Sequence, residues 1–301
     1  METIRPRWWK PARDESGNPA ALCGLCFHCC LIKQGLSGRC GARRFDGSAF
    51  ESPFLGKFVS VAIDPIEKKP LYHWRPGTKI LSLGSLRCNL FCPFCQNHAI
   101  AHPKGETAAR EISPRDLALT ASRHGLAAVA YTYNEPTLQA EYIISAAPLL
   151  REAGIATVMV TNGLFSSEAR DELATLTEAM NIDIKAFGKN SYAPLGAAEK
   201  SARGGRGSAE ETVMENVESL FRAGVHIELT NLAVPGISDS EDRFAEMVNW
   251  IAGISREMPL HISRYFPAYR YEAPPTDIRL MKKLESIARG KLKFVHLGNV
   301  W

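Results

Sequence analysis

The feature that most constrains this chain is a repeated alternation that starts near residue 79. Short apolar, β-rich runs at 79–85, 127–133, 156–162, 180–186, 226–233 and 260–267 are separated by helical patterns with readable ends. Ser113-Pro114 places a side-chain cap before a proline at the first helical position. Ser166-Ser167-Glu168 and Ser238-Asp239-Ser240-Glu241 open two more helices, and Pro275-Thr276-Asp277 opens a last one that runs to about Gly290. Gly154 and Gly224 stand where helices should stop. Six β-then-α units imply a parallel sheet with helical crossovers. Six are too few for a closed eight-fold barrel, so the expected fold is α/β, an open partial (β/α)6 TIM-like barrel. Sites in such folds gather at the C-terminal ends of the strands.

Residues 1–75 read differently. They are rich in Gly, Pro, Arg and Cys, and only 58–63 looks like a strand. We expect a small, irregular, Cys-rich N-terminal domain there and the catalytic core over 76–301. At 45% hydrophobic and 23% charged the chain has enough apolar residues for a large core. A formal charge of +4 is no footprint of a dedicated nucleic-acid binder. No apolar run is long enough to span a bilayer, and the first residues lack a signal-peptide core, so a cytoplasmic protein with no membrane partner is expected. Segment 185–207, with Lys189, Lys200, Arg203 and Arg206 among Gly, Ser and Ala, reads as a long loop after the fourth strand. It is either a solvated connection or a substrate gate.

The 8 cysteines fall in two groups: Cys23, Cys26, Cys29, Cys30 and Cys40, then Cys88, Cys92 and Cys95. Disulfide frameworks spread across small secreted domains, whereas tight groups in a large chain point to metal. The second group lies on one loop directly after the first barrel strand. Three thiolates hold three corners of a [4Fe–4S] cube and leave the fourth iron open. The alternative is a zinc knuckle completed by His98. In the first group, spacing allows either Cys29 or Cys30 as third ligand. Four thiolates close a site, which is then structural or electron-relaying, with zinc or a second [4Fe–4S] cluster both allowed.

Cys88-x3-Cys92-x2-Cys95, with Phe94 before the third cysteine, resembles the radical S-adenosylmethionine (SAM) signature. Cys95-Gln96-Asn97 resembles its continuation in relatives of pyruvate formate-lyase activating enzymes. Residues 64–73, Asp-Pro-Ile-Glu-Lys-Lys-Pro-Leu-Tyr-His, are similar to the pattern of the AmmeMemoRadiSam-system radical SAM proteins. The resemblance runs from about Cys23 to Asn299. It implies that Cys88, Cys92 and Cys95 hold the catalytic [4Fe–4S] cluster and that Phe94 packs beside the adenine of SAM. It also favours Cys23, Cys26, Cys30 and Cys40 as the N-terminal set.

Further site residues follow at the later strand ends. Tyr133-Asn134-Glu135-Pro136 stands where the family has Gly-Gly-Glu-Pro, which binds the SAM amino group. Glu135 and Pro136 match; Tyr133 and Asn134 replace the glycines. Thr161-Asn162-Gly163 resembles the activating enzymes' Thr-Asn-Gly turn. Period 2 puts Asp183 and Lys185 on one face of the fourth strand, where they serve the two charges of an aminoacyl group or pair with each other. Asn231, Arg264 and, less favoured, His261 are further candidates, and Asn299 is expected near the site. Asn97, Asn134 and the residues above make up the expected SAM-binding set. The implied activity is reductive cleavage of SAM to a 5′-deoxyadenosyl radical that takes hydrogen from a protein or small molecule, glycyl-radical activation among the options. The expected partner is a one-electron donor such as a flavodoxin or ferredoxin. The competing reading is an iron–sulfur electron carrier or metal scaffold without SAM chemistry.

Overall fold

The computed structural model describes residues 4–197 and 207–300. Its centre is a parallel sheet of β1 (Lys79–Gly84), β2 (Ala128–Thr132), β3 (Ala156–Thr161), β4 (Ala179–Asp183), β5 (His226–Ala233), β6 (Leu260–Arg264) and β7 (Val295–Gly298). They lie side by side in chain order. The strand Ser60–Pro65 adds antiparallel to β1 at one edge. Besides a single turn at His98–Ala101, the helices are α1 (Pro114–Arg123), α2 (Ala140–Glu152), α3 (Ser167–Ala174), α4 (Ala209–Arg222), α5 (Glu241–Ile254) and α6 (Ile278–Arg289).

The expected α/β partial barrel is the fold found, with two additions. β7 is a seventh parallel strand, too short and half-exposed to announce itself by pattern. Before residue 60 the structure shows short antiparallel ladders where irregular chain was expected. Trp9–Arg13, Pro19–Cys23 and Leu31–Lys33 form one sheet, and Leu36–Ser37, Arg44–Phe45 and Phe50–Glu51 another. Runs of two to five residues cannot display a two-residue period. Their turns are built by side chains: the Asp14 carboxylate accepts from the amides of Ser16 and Asn18, and Asp46 accepts from Ser48 and Ala49.

The helix starts follow their caps. Ser113, Ser166, Ser240 and Asp277 each accept from a backbone amide of the first turn. Ser208 and Glu211 form a capping box on α4. Gly154 and Gly224 close α2 and α4 with φ of 74° and 85°, where a side chain would be strained.

The lower end of the barrel is closed by residues 66–74. Ile66 and Leu71 are fully buried against Ile80, Ala128, Ala130, Ala156, Val158 and Ala179. The run of alanines is what leaves room for this insert. Glu228, wholly buried on β5, fastens it: its carboxylate accepts from the amides of Tyr72 (3.0 Å) and His73 (2.8 Å), and meets the rings of His226 (3.0 Å) and His261 (2.7 Å). Burial alone would raise the pKa of Glu228; these hydrogen bonds outweigh it and hold it at about 2, against an ordinary value of 4.5. The stabilisation is therefore complete above the ordinary value and is lost as pH falls towards 2. It amounts to about 3 kcal/mol. Acid unfolding of wild type should begin as pH drops below about 4.5, and Glu228→Gln should flatten that limb of the stability-against-pH curve. An unchanged acid limb in the variant would rule this out.

Candidate active site

The loop after β1 carries the three cysteines at the upper, C-terminal end of the barrel. Cys92 is buried, while Cys88 and Cys95 are partly so. The Cys95 amide donates to the Cys92 carbonyl (3.2 Å) and the Leu90 amide to Cys88 Sγ (3.5 Å), so the loop is folded round its own sulfurs. Burial pushes all three thiols up, Cys92 to about 11, with the Glu135 charge adding to the rise at Cys88 and Lys185 opposing it at Cys92 and Cys95. Metal binding must displace these protons. The His98 ring is turned away from a knuckle role: it lies 3.2 Å from the Cys95 carbonyl and stacks on Tyr269 at 4.4 Å. Among the described residues no three His, Cys, Asp or Glu side chains gather as one ion requires.

Glu135 is the hub beside that loop. It is 1% exposed, and burial raises its pKa. Oε1 accepts from the Thr137 amide (2.9 Å), Thr137 Oγ1 (2.5 Å) and Thr161 Oγ1 (2.8 Å). Oε2 accepts from the Asn162 amide at 2.9 Å, which leaves it a second lone pair for an incoming donor. Asn162 Nδ2 reaches Asn89 Oδ1 (2.7 Å) and lies 4.0 Å from Cys88 Sγ. Cys88, Asn162 and Glu135 thus form one bonded series.

Asn97 and Asn134 are tied into the frame. Asn97 Nδ2 donates to the Tyr133 carbonyl (2.6 Å), and Asn134 Nδ2 donates to Ser85 Oγ (3.0 Å) and the Arg87 carbonyl (2.6 Å). They link the β2 end to the cysteine loop. Tyr133 holds a φ of 73°, the conformation that glycine favours. Its hydroxyl lies 3.1 Å from Asp64 Oδ2, and Lys69 Nζ sits 4.6 Å from its ring centre. The opposite Gly84 makes room, since a Cβ there would meet Tyr133 Cδ2 at 2.7 Å. A tyrosine anchored from below thus keeps the backbone turn that the resemblance assigns to glycine.

Asp183 and Lys185 form a 2.8 Å ion pair with about a fifth of each side chain exposed. Phe94 is buried edge-on between Tyr265 and Tyr271, with centroids 6.4 Å from each. Asn231 donates to the Ile184 carbonyl (2.8 Å), but its buried Oδ1 has no partner. Arg264 Nε is held by the Thr276 carbonyl (2.9 Å), and Asn299 Nδ2 by the Arg264 carbonyl (3.3 Å). His261 belongs to the lower end with Glu228, on the far side of the barrel from the cysteine loop. Of segment 185–207, Lys200, Arg203 and Arg206 lie outside the described residues.

In the N-terminal group, burial pushes the thiols of Cys26, Cys23 and Cys30 up, Cys23 to about 11, and Cys26 lies within electrostatic reach of Cys23, Cys40 and Cys30. The amides of Arg39 and Ala42 approach Cys30 Sγ and Cys40 Sγ at 3.5 Å each. Cys29 instead turns back to the Cys26 carbonyl with a φ of 41°. Residues that the sequence did not point to are Asn89, His28, and the buried pair Arg43–Glu141 that joins this region to α2. Asn89 fills a variable position of the Cys88-x3-Cys92 motif and the others belong to none, so only the structure brings them out.

The fold and this loop are those of radical SAM enzymes. The model of the Radical SAM superfamily matches residues 83–251, more than half of the chain. An uncharacterized protein of Methanocaldococcus jannaschii, MJ0808, is 35% identical over 92% of this chain and 81% of its own. The pyruvate formate-lyase-activating enzyme of Clostridium pasteurianum is 25% identical over 68% of this chain and 84% of its own. SuiB of Streptococcus suis, solved with S-adenosylmethionine, shares the fold with a TM-score of 0.53 at 15% identity, over 71% of this chain and 48% of SuiB. The chain belongs to the radical SAM superfamily. It is an enzyme of SAM-dependent radical chemistry, and that membership implies a [4Fe–4S] cluster and SAM. Among the described residues no helix is long and apolar enough to cross a membrane.

Proposed function

We propose an activating-enzyme-like radical SAM oxidoreductase that takes a hydrogen atom from another protein or a small molecule, with a glycyl-radical protein as the first substrate class to test. Cys88, Cys92 and Cys95 would hold the cluster. Bound and reduced, it supplies the electron that cleaves SAM to methionine and a 5′-deoxyadenosyl radical. The observation that carries this is the bonded series from Cys88 through Asn162 to Glu135, which sets a carboxylate with a spare lone pair beside the cysteine loop.

Around it the chain's own groups divide the work. Glu135 accepts from the SAM ammonium. Lys185 and Asp183 face the remaining charges, and Thr161, Asn162 and Asn134 keep Glu135 and the loop in register. Asn231 Oδ1 is a buried acceptor waiting for a donor, which a ribose hydroxyl supplies. Phe94 backs the adenine, and Arg264 and Asn97 complete the lining. A flavodoxin or ferredoxin delivers the electron. Cys23, Cys26, Cys30 and Cys40 form a second metal centre in an N-terminal unit.

The test is anaerobic reconstitution with iron and sulfide, reduction, addition of SAM and quantification of 5′-deoxyadenosine. Wild type should produce it and Cys88→Ala/Cys92→Ala/Cys95→Ala should not. A reduced cluster that neither binds nor cleaves SAM would replace this reading with that of an electron carrier.

A further inference from the structure

We infer that Cys23, Cys26, Cys30 and Cys40 hold an iron–sulfur centre that passes electrons to the Cys88 loop by way of His28. The inference rests on the cluster proposed at Cys88, Cys92 and Cys95 and deepens that reading by assigning the route of electron entry.

The turn that carries Cys26 is bonded to the chain after β3 and, through His28, to the Cys88 loop. Cys26 bridges antiparallel to Phe165, the Phe27 amide donates to the Leu164 carbonyl (3.0 Å), and the Ser166 amide donates to the Leu25 carbonyl (3.0 Å). Residues 25–27 therefore lie as a ladder along the chain that follows Asn162, the residue next to Cys88 Sγ. From the same turn His28 Nε2 meets the Asn89 carbonyl at 2.7 Å, inside the loop between Cys88 and Cys92. A carbonyl can only accept, so Nε2 carries the proton. The route from Cys26 to Cys88 is His28, one hydrogen bond and Asn89.

The four thiols have the surroundings of an anionic cluster. Arg43, 1% exposed and paired with Glu141, lies within electrostatic reach of Cys23 and Cys40. Two backbone amides approach the sulfurs of Cys30 and Cys40, an interaction that tunes iron–sulfur potentials. In the transfer a reduced low-potential electron carrier is oxidised by one electron, the N-terminal centre takes it and hands it on, and no bond or proton moves.

The experiment uses the full chain. After anaerobic reconstitution, Cys88→Ala/Cys92→Ala/Cys95→Ala should retain about four irons per chain and, when reduced, a [4Fe–4S] electron paramagnetic resonance signal. Zinc in place of iron there, or no metal, overturns the proposal. His28→Ala keeps all eight cysteines and should lose 5′-deoxyadenosine formation driven by reduced flavodoxin while retaining that driven by dithionite. Cys23→Ala/Cys26→Ala should lose the flavodoxin-driven reaction in the same way. Undiminished flavodoxin-driven formation in both variants overturns the route. Failure of wild type to cleave SAM with dithionite would sink the proposed function instead, and leaves the iron count and spectrum at the N-terminal site to be judged on their own.

Discussion

Glu135→Gln should lower SAM affinity by about 10- to 100-fold, the equivalent of one charge-assisted hydrogen bond of about 1.5–3 kcal/mol. The amide keeps the shape, and its oxygen can still accept from Thr137 and Thr161. Its NH2 then faces the Asn162 amide, donor against donor, and offers the ammonium no negative charge. That mismatch should cost about 1–3 kcal/mol of stability. Thr137→Ala separates the two effects. It removes one donor to Oε1 and leaves Oε2 untouched, so stability should fall without a matching loss of affinity. Equilibrium SAM binding to the reconstituted protein and urea unfolding measure the pair. Because burial raises the Glu135 pKa, wild-type affinity should also weaken in acid sooner than an ordinary carboxylate would cause. Wild-type SAM binding by Glu135→Gln would remove Glu135 from the site.

Arg43→Met should be the most destabilising single change outside the site, at about 3–5 kcal/mol, the usual cost of leaving one partner of a buried ion pair uncompensated. Both side chains are 1% exposed. Arg43 also donates to the Arg7 carbonyl (2.6 Å), and Glu141 accepts from the Arg7 amide (2.7 Å), so three segments meet there. Arg43 Nε and Glu141 Oε2 are nonetheless left without partners, which marks the pair as a specific contact rather than a large net gain. Arg43→Met/Glu141→Leu should therefore recover most of the loss. Urea unfolding of the metal-free chains decides it, and a double variant no better than the single one would assign the effect to packing alone.

The barrel was legible because its information is local. β5 spans residues 226–233 as its apolar run does, and Ser113, Ser166 and Asp277 cap the helices whose starts they marked. The cysteine loop was legible because three cysteines fall within eight residues. What escaped depends on distant partners. Tyr133 looks like a departure from the glycine pattern until Asp64 and Gly84 are seen to hold it. His261 looks like a site candidate on its strand and turns out to serve Glu228 at the opposite end, since alternation gives a face and not a height. Asp183 and Lys185 carried two readings. The ion pair is formed, and its partial exposure leaves both groups open to a zwitterion.

The insert that closes the lower end of the barrel has a consequence for the order of assembly. Its amides at Tyr72 and His73 wait for a carboxylate on Glu228, more than 150 positions later in the chain, and the His73 ring meets His296 across a separation of 223. During synthesis this segment emerges early, with its apolar Ile66 and Leu71 lacking β2–β4 to bury them. Contacts so remote in sequence form late because the intervening loop must close first. This early segment is thus among the last to settle: until β2–β4 arrive it is an exposed apolar stretch that other chains can capture, and until β5 and β7 arrive it is covered but not fastened.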